Sequence, residues 1–137
     1  MSDCIFCKIA NGEIPSYTLF ENDVVKIILD HLPSSIGHTL VLPKKHYDSI
    51  YDLPPNEGAD IFAYCVKAAN ALKQALNFDG LNVLQNNGTA AGQTVNHFHI
   101  HLIPRYDDDS LVIDWQTQTP KQEEFLAAVE KIKGFFK

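Results

Sequence analysis

The chain is short of several things. Among 137 residues there are three cysteines, one methionine, one tryptophan, and seven each of glycine and proline. Three is an odd and small number, so a disulfide framework is not expected. No apolar run approaches the ~20 residues that a membrane helix needs. No basic segment followed by an apolar stretch stands at the start, so no secretory signal is expected and a cytoplasmic protein is. Basic residues are also scarce, 11 Lys and Arg against 17 Asp and Glu, for a net charge of −6. That excludes a general nucleic-acid binder, which needs a basic face to replace counterions. What the chain does have is 45% hydrophobic residues and only 20% charged ones. This is enough apolar matter to offset the entropy of ordering one domain.

The pattern along the chain predicts an α+β domain with a five-stranded antiparallel sheet, one long helix and shorter terminal helices, the helices on one face. A short helix capped by Asp3 carries Ile5, Phe6 and Ile9 and stops at Asn11-Gly12. Strands are expected at 18–20, 24–30, 38–42, 81–86 and 96–103. Pro54-Pro55 open a helix to about residue 77, with an apolar stripe of Ile61, Cys65, Ala69, Leu72 and Leu76. Cys65 then reads as a small core residue. Asp107-Asp108-Asp109 reads as a solvated loop. Thr119-Pro120-Lys121-Gln122 resembles a capping box, and the helix after it should bury Phe125, Val129, Ile132 and Phe136. The reading is one domain over 1–137, with a helical tail from about 107.

Two segments carry chemistry. In His97-Phe98-His99-Ile100-His101-Leu102-Ile103, alternate residues of a strand share a face, so three imidazoles line up at ~6.6 Å spacing opposite an apolar row. Three rings together repel when charged and need partners when neutral, which argues against a purely structural role. Either they bind one metal ion, as in open zinc sites, or the middle ring is a nucleophile tuned by its neighbours. The loop Asn86 to Thr94, with Gly88 and Gly92, leads into this strand and could cradle an anion. The second segment is Cys4-Ile5-Phe6-Cys7, with the spacing of half a zinc site. It lacks the preceding strand of a thioredoxin-like motif, which leaves metal binding or a pair of plain thiols.

The triad His97-Phe98-His99-Ile100-His101 resembles the signature of the histidine triad family of nucleotide hydrolases and transferases. Gly37-His38-Thr39-Leu40-Val41-Leu42-Pro43 and Ala91-Gly92-Gln93-Thr94-Val95 resemble its flanking motifs. Cys4 to Ile9 with Gly12-Glu13-Ile14-Pro15 looks like the start of bacterial members of its Hint-like branch. The resemblance implies hydrolysis at the α-phosphate of nucleoside 5′-phosphate derivatives: phosphoramidates, acyl adenylates or dinucleoside polyphosphates. His99 would attack phosphorus, giving a nucleotidyl-histidine, with His101 and His38 assisting. It implies nucleotide contacts from Asp30, Asn86, Gly92, Gln93 and Thr94, and base-pocket walls from Phe6, Ile9, Ile14 and Ile28. It implies a structural Cys2His2 zinc site of Cys4, Cys7, His46 and His97. It also implies a homodimer acting on a small, purine nucleotide. Two other functions compete: a binding protein with little turnover, and a zinc hydrolase using the triad as ligands. Departures are few. His31 stands where an apolar residue is usual, Asn86 replaces the glutamine of dinucleoside polyphosphate hydrolases, and the tail with Trp115 is long.

Overall fold

A computed structural model describes residues 3–136. Five antiparallel strands form one sheet: β1 (Tyr17–Glu21), β2 (Val25–Leu29), β3 (Thr39–Pro43), β4 (Gly80–Leu84) and β5 (Ile100–Arg105). Their order is β1-β2-β3-β5-β4, so β5 inserts between β3 and β4. The α+β expectation and the strand count hold.

Helix α2 (Pro55–Leu76) covers one face. Ile61, Cys65, Ala68 and Leu72 pack there on Val25, Ile27, Val41, Phe98, Ile100 and Leu102. Ala68 thus takes the place expected for Ala69. Burial of Cys65 pushes its thiol up to about 12, so it is the inert core residue foreseen. Helix α1 (Ile5–Ala10) lies on the opposite face, where Phe6, Ile9 and Ala10 meet Ile28, Leu40 and Leu42. The helices therefore occupy both faces, not one, because strands β2 and β3 are apolar on both sides. Asp3 is not the cap of α1. Cys4 is, with its Sγ accepting from Cys7 N–H at 3.4 Å.

Strand β5 begins four residues later than expected. Its ladder partners end at Val41 on β3 and Leu84 on β4, so residues 96–99 lie beyond the paired region. Phe98 N–H is held instead by the Tyr47 carbonyl, at 2.7 Å. Gly37, at φ +92°, lets β3 start under the end of α2. A Cβ there would stand 2.3 Å from Leu76 Cδ1.

The tail departs most. Asp109 is not merely solvated: its carboxylate takes Nε and Nη2 of Arg105, each at 2.9 Å. That pairing holds its carboxyl well below the usual range. Helix α3 (Gln122–Lys133) starts at Lys121, whose N–H donates to Glu124 Oε1 at 3.0 Å, two residues after the expected Thr119 cap. Phe125, Val129, Ile132 and Phe136 are not buried; they are 52–82% exposed. The stripe is there, but nothing else in the described chain packs on it. Among the described residues, no helix is long and apolar enough to cross a membrane.

Candidate active site and metal centre

Asp30, His38 and His101 lie in a row across three strands. The β2–β3 ladder continues through Asp30 N–H to His38 O at 2.8 Å, and Leu40 pairs with His101. On the face opposite α2, these polar groups adjoin the apolar floor of Phe6, Ile9, Ile28 and Leu40. Ile14 packs at its margin. The alternation foreseen for 97–102 survives although, of the three histidines, only His101 lies in the strand. Phe98, Ile100 and Leu102 enter the α2 core, while His97, His99 and His101 take the other side.

Each ring's proton follows from its partners. His99 Nδ1 lies 2.7 Å from the His97 carbonyl, so Nδ1 carries the hydrogen and Nε2 is bare. His38 Nδ1 accepts from Ser34 N–H at 3.0 Å, so its hydrogen is on Nε2 and donates to His101 Nδ1 at 2.9 Å. That leaves His101 with its hydrogen on Nε2. The His99 and His101 ring centroids are 5.0 Å apart. Burial lowers all three rings below the ordinary imidazole value, His101 to about 4, where His99 and His38 add to the effect. At neutral pH the site holds three uncharged rings beside the Asp30 carboxylate, whose Oδ2 is 3.6 Å from His38 Nε2.

The depressed pKa of His101 has a consequence for stability. The unfolded chain takes up protons near the ordinary value of about 6.5, the folded one only near 4. The contribution is therefore complete above about 6.5 and is lost as pH falls toward 4. The wild-type melting temperature should fall through that window more steeply than that of His101→Asn. Parallel melting curves would contradict this.

The loop before the triad is built differently from the expected cradle. Gly88 and Gly92 take φ +88° and +92° around a short turn at Thr89–Ala91. Gly88 N–H is spent on Gln93 Oε1 at 2.8 Å, and Gly92 N–H on Thr89 O at 3.0 Å. Gln93 is buried, and its Nε2 binds Asp48 O at 2.6 Å and Val95 O at 3.1 Å. These groups shape the loop and do not offer free donors. Thr94 is exposed. Asn86 Nδ2 would lie 3.6 Å from a Cβ on Gly92. The β4–β5 ladder stops at Leu84↔His101, two residues short of Asn86.

The second constellation is Cys4, Cys7, His46 and His97, whose ligand atoms all lie within 4.8 Å of one another. Cys7 Sγ is 3.1 Å from His46 Nδ1, and both sulfurs are 3.6 Å from His97 Nδ1. A tetrahedral ion with bonds of about 2.0–2.3 Å sets its ligand atoms about 3.3–3.8 Å apart, so the set fits. The far nitrogens are engaged as such sites require: His97 Nε2 donates to Pro43 O at 2.8 Å and His46 Nε2 to Asp48 Oδ1 at 2.7 Å. Burial, with Cys4 beside it, raises the Cys7 thiol to about 11, so metal uptake there releases a proton. His97 thus groups with the cysteines and not with His99 and His101. A single metal shared by the three triad rings finds no support. Asp30, His38 and His101 also cluster, but the hydrogen on His38 Nε2 lies between the would-be ligand atoms.

Sequence reasoning passed over two residues. Lys26 is buried, and its Nζ donates to Ile9 O at 2.9 Å, at the carboxyl end of α1. An inward lysine amid Val24–Leu29 was its signal. Asp48, which orients His46, has no sequence signature.

A family model for the HIT domain matches residues 11–108. An uncharacterized HIT-like protein of Methanocaldococcus jannaschii is 48% identical over 80% of this chain and 84% of its own length. An adenylylsulfatase of Arabidopsis thaliana is 44% identical over 80% of the chain and 56% of its own length. An adenosine 5′-monophosphoramidase of Saccharomyces cerevisiae is 42% identical over 84% and 71%. Among solved structures, a HIT family protein from Bacillus anthracis superposes with TM-score 0.92 at 40% identity, covering 98% of both chains. A zinc-bound histidine triad family protein from Mycobacterium smegmatis does so with TM-score 0.77 at 36% identity, covering 97% of both.

Proposed function

The chain belongs to the HIT domain family, and on that premise we propose that it is a nucleotide hydrolase working through a covalent histidine intermediate. One observation carries this: His99 presents a bare Nε2, because its Nδ1 hydrogen is tied to the His97 carbonyl and burial keeps the ring neutral. His99 Nε2 attacks the α-phosphorus of a nucleoside 5′-phosphate derivative. The N–P bond forms as the bond to the leaving group breaks. Water then attacks phosphorus, the N–P bond breaks, and the nucleoside monophosphate leaves with His99 restored. His101, polarised by His38, has its Nε2 hydrogen free to donate to a nonbridging oxygen. Asp30 accepts the ribose hydroxyls, and Phe6, Ile9, Ile14 and Ile28 supply the apolar side of a purine pocket. Asn86, Gly92, Gln93 and Thr94 form the phosphate-side loop.

Cys4, Cys7, His46 and His97 would hold zinc as four protein ligands, and an ion bound there would supply structure to the site. The relatives named for phosphoramidase and adenylylsulfatase activity support cleavage at an adenylyl phosphorus. Steady-state comparison of adenosine phosphoramidate, adenosine phosphosulfate and diadenosine tri- and tetraphosphate tests the proposal. Release of adenosine monophosphate from the first is expected. Turnover on none of them, with the nucleotide still bound, would instead favour the binding-protein alternative.

We take the chain as one domain with a helical arm from about residue 107, acting in the cytoplasm as a homodimer. The exposed stripe of α3 supports the dimer, since a helix of 12 residues is marginal in water without packing. Light scattering over a tenfold dilution should report twice 15.3 kDa. A monomer at micromolar concentration would rule the dimer out.

A further inference from the structure

The metal-ligand set and the proposed catalytic groups are joined by an unbroken chain of contacts. His97 offers Nδ1 to the cysteine cluster, while its own carbonyl accepts the Nδ1 hydrogen of His99 at 2.7 Å. On the other side, His46 Nε2 binds Asp48 Oδ1 at 2.7 Å. The Asp48 carbonyl accepts from Gln93 Nε2 at 2.6 Å, and Gln93 Oε1 accepts from Gly88 N–H at 2.8 Å. Phe98 N–H to Tyr47 O, at 2.7 Å, ties the two ligand-bearing segments to each other. Phe6 lies between the two cysteines on α1, and its ring meets those of His99 and His97 edge-on at 4.9 and 6.0 Å.

We infer that the Cys4–Cys7–His46–His97 centre is a positioning device that sets His99 and the Gly88–Gln93 loop in register with each other. The physical reason is where these ligands lie. His46 and His97 sit outside the strand ladders, so no sheet hydrogen bonding fixes them. Without an ion, each histidine keeps one hydrogen bond on its far nitrogen and Phe98 N–H ties their segments, but between the four ligand atoms there are only contacts with thiols, which are weak donors. With one, four strong bonds fix α1, the segment after β3 and the segment before β5 in one geometry. The ribose side is independent of this, because Asp30 and His38 follow the β2–β3 ladder. Loss of the metal should thus lower kcat more than nucleotide affinity, which also draws on Asp30 and on Ile28 of β2. A misplacement of about 1 Å at a reacting group can cost about a hundredfold in rate.

The inference rests on His99 as nucleophile, but its decisive readouts need no substrate. In zinc-loaded protein, ¹⁵N shifts of the His99 ring at fixed neutral pH should show hydrogen on Nδ1 only. After chelation and dialysis, a second tautomer should appear, amide exchange at 86–94 should quicken, and kcat should fall ten- to a hundredfold. Binding of adenosine monophosphate should weaken less than kcat falls. A folded metal-free protein with unchanged tautomer and unchanged exchange would overturn the inference. Gln93→Met serves where the metal-free protein fails to fold. It should keep its zinc and the His99 tautomer, yet exchange faster at 86–94. Unchanged exchange in that variant would likewise overturn the inference. These outcomes stand whether or not any hydrolase substrate is turned over, so failure here and failure of the hydrolase reading are separable.

Discussion

His99→Asn should abolish turnover while leaving nucleotide binding intact. Replacing the attacking atom removes the covalent route, and loss of such a group costs on the order of a thousandfold or more in kcat. The proposed binding surface draws on other residues: Asp30 beside the imidazoles, and the floor of Phe6, Ile9 and Ile28. Adenosine monophosphate should therefore bind within about threefold of wild type. His101→Ala should be damaging without being null, because it assists through one hydrogen bond. Wild-type enzyme quenched with substrate under denaturing neutral or alkaline conditions should carry a nucleotidyl adduct on the peptide containing His99. Acid must be avoided, since it hydrolyses N–P bonds. Wild-type turnover in His99→Asn, or an adduct elsewhere, would refute the mechanism.

The second large effect concerns the metal. Gently purified protein should contain close to one zinc per chain, and the double variant Cys4→Ser/Cys7→Ser none. The candidate ligands come from segments 39 and 90 or more residues apart, so an ion there would close long loops and its binding free energy would be folding free energy. For a domain of this size each kcal/mol moves the melting point by roughly 3–5 °C, so losing several should cost on the order of 10 °C or more. Elemental analysis and calorimetry read both. Absence of zinc from the wild type, or an unchanged melting point in the variant, would count against the site. Complete loss of activity with the metal, with no adduct ever found on His99, would point instead to the metal as the catalyst.

Much of the site was legible in the primary structure because it is periodic. The alternation of His97, Phe98, His99, Ile100 and His101 fixes which side chains share a face, and it does so even though the strand itself begins only at Ile100. Five strands, the long helix and the Cys-x-x-Cys pair follow equally from local pattern. The tail shows the limit: α3 has a stripe of the right period, but periodicity cannot say what covers it. Register and tautomer lie further beyond local pattern. Placing β5 between β3 and β4 brings His38 to 2.9 Å from His101 across 63 residues of chain. The free Nε2 of His99 depends on one backbone carbonyl, and the role of Gln93 on a carbonyl 45 residues away. The sequence by itself determined which chemical groups are present and on which face they stand. Only the tertiary structure decided which ring nitrogen is bare and which groups are already spent, because hydrogen-bond partners distant in the chain settle both.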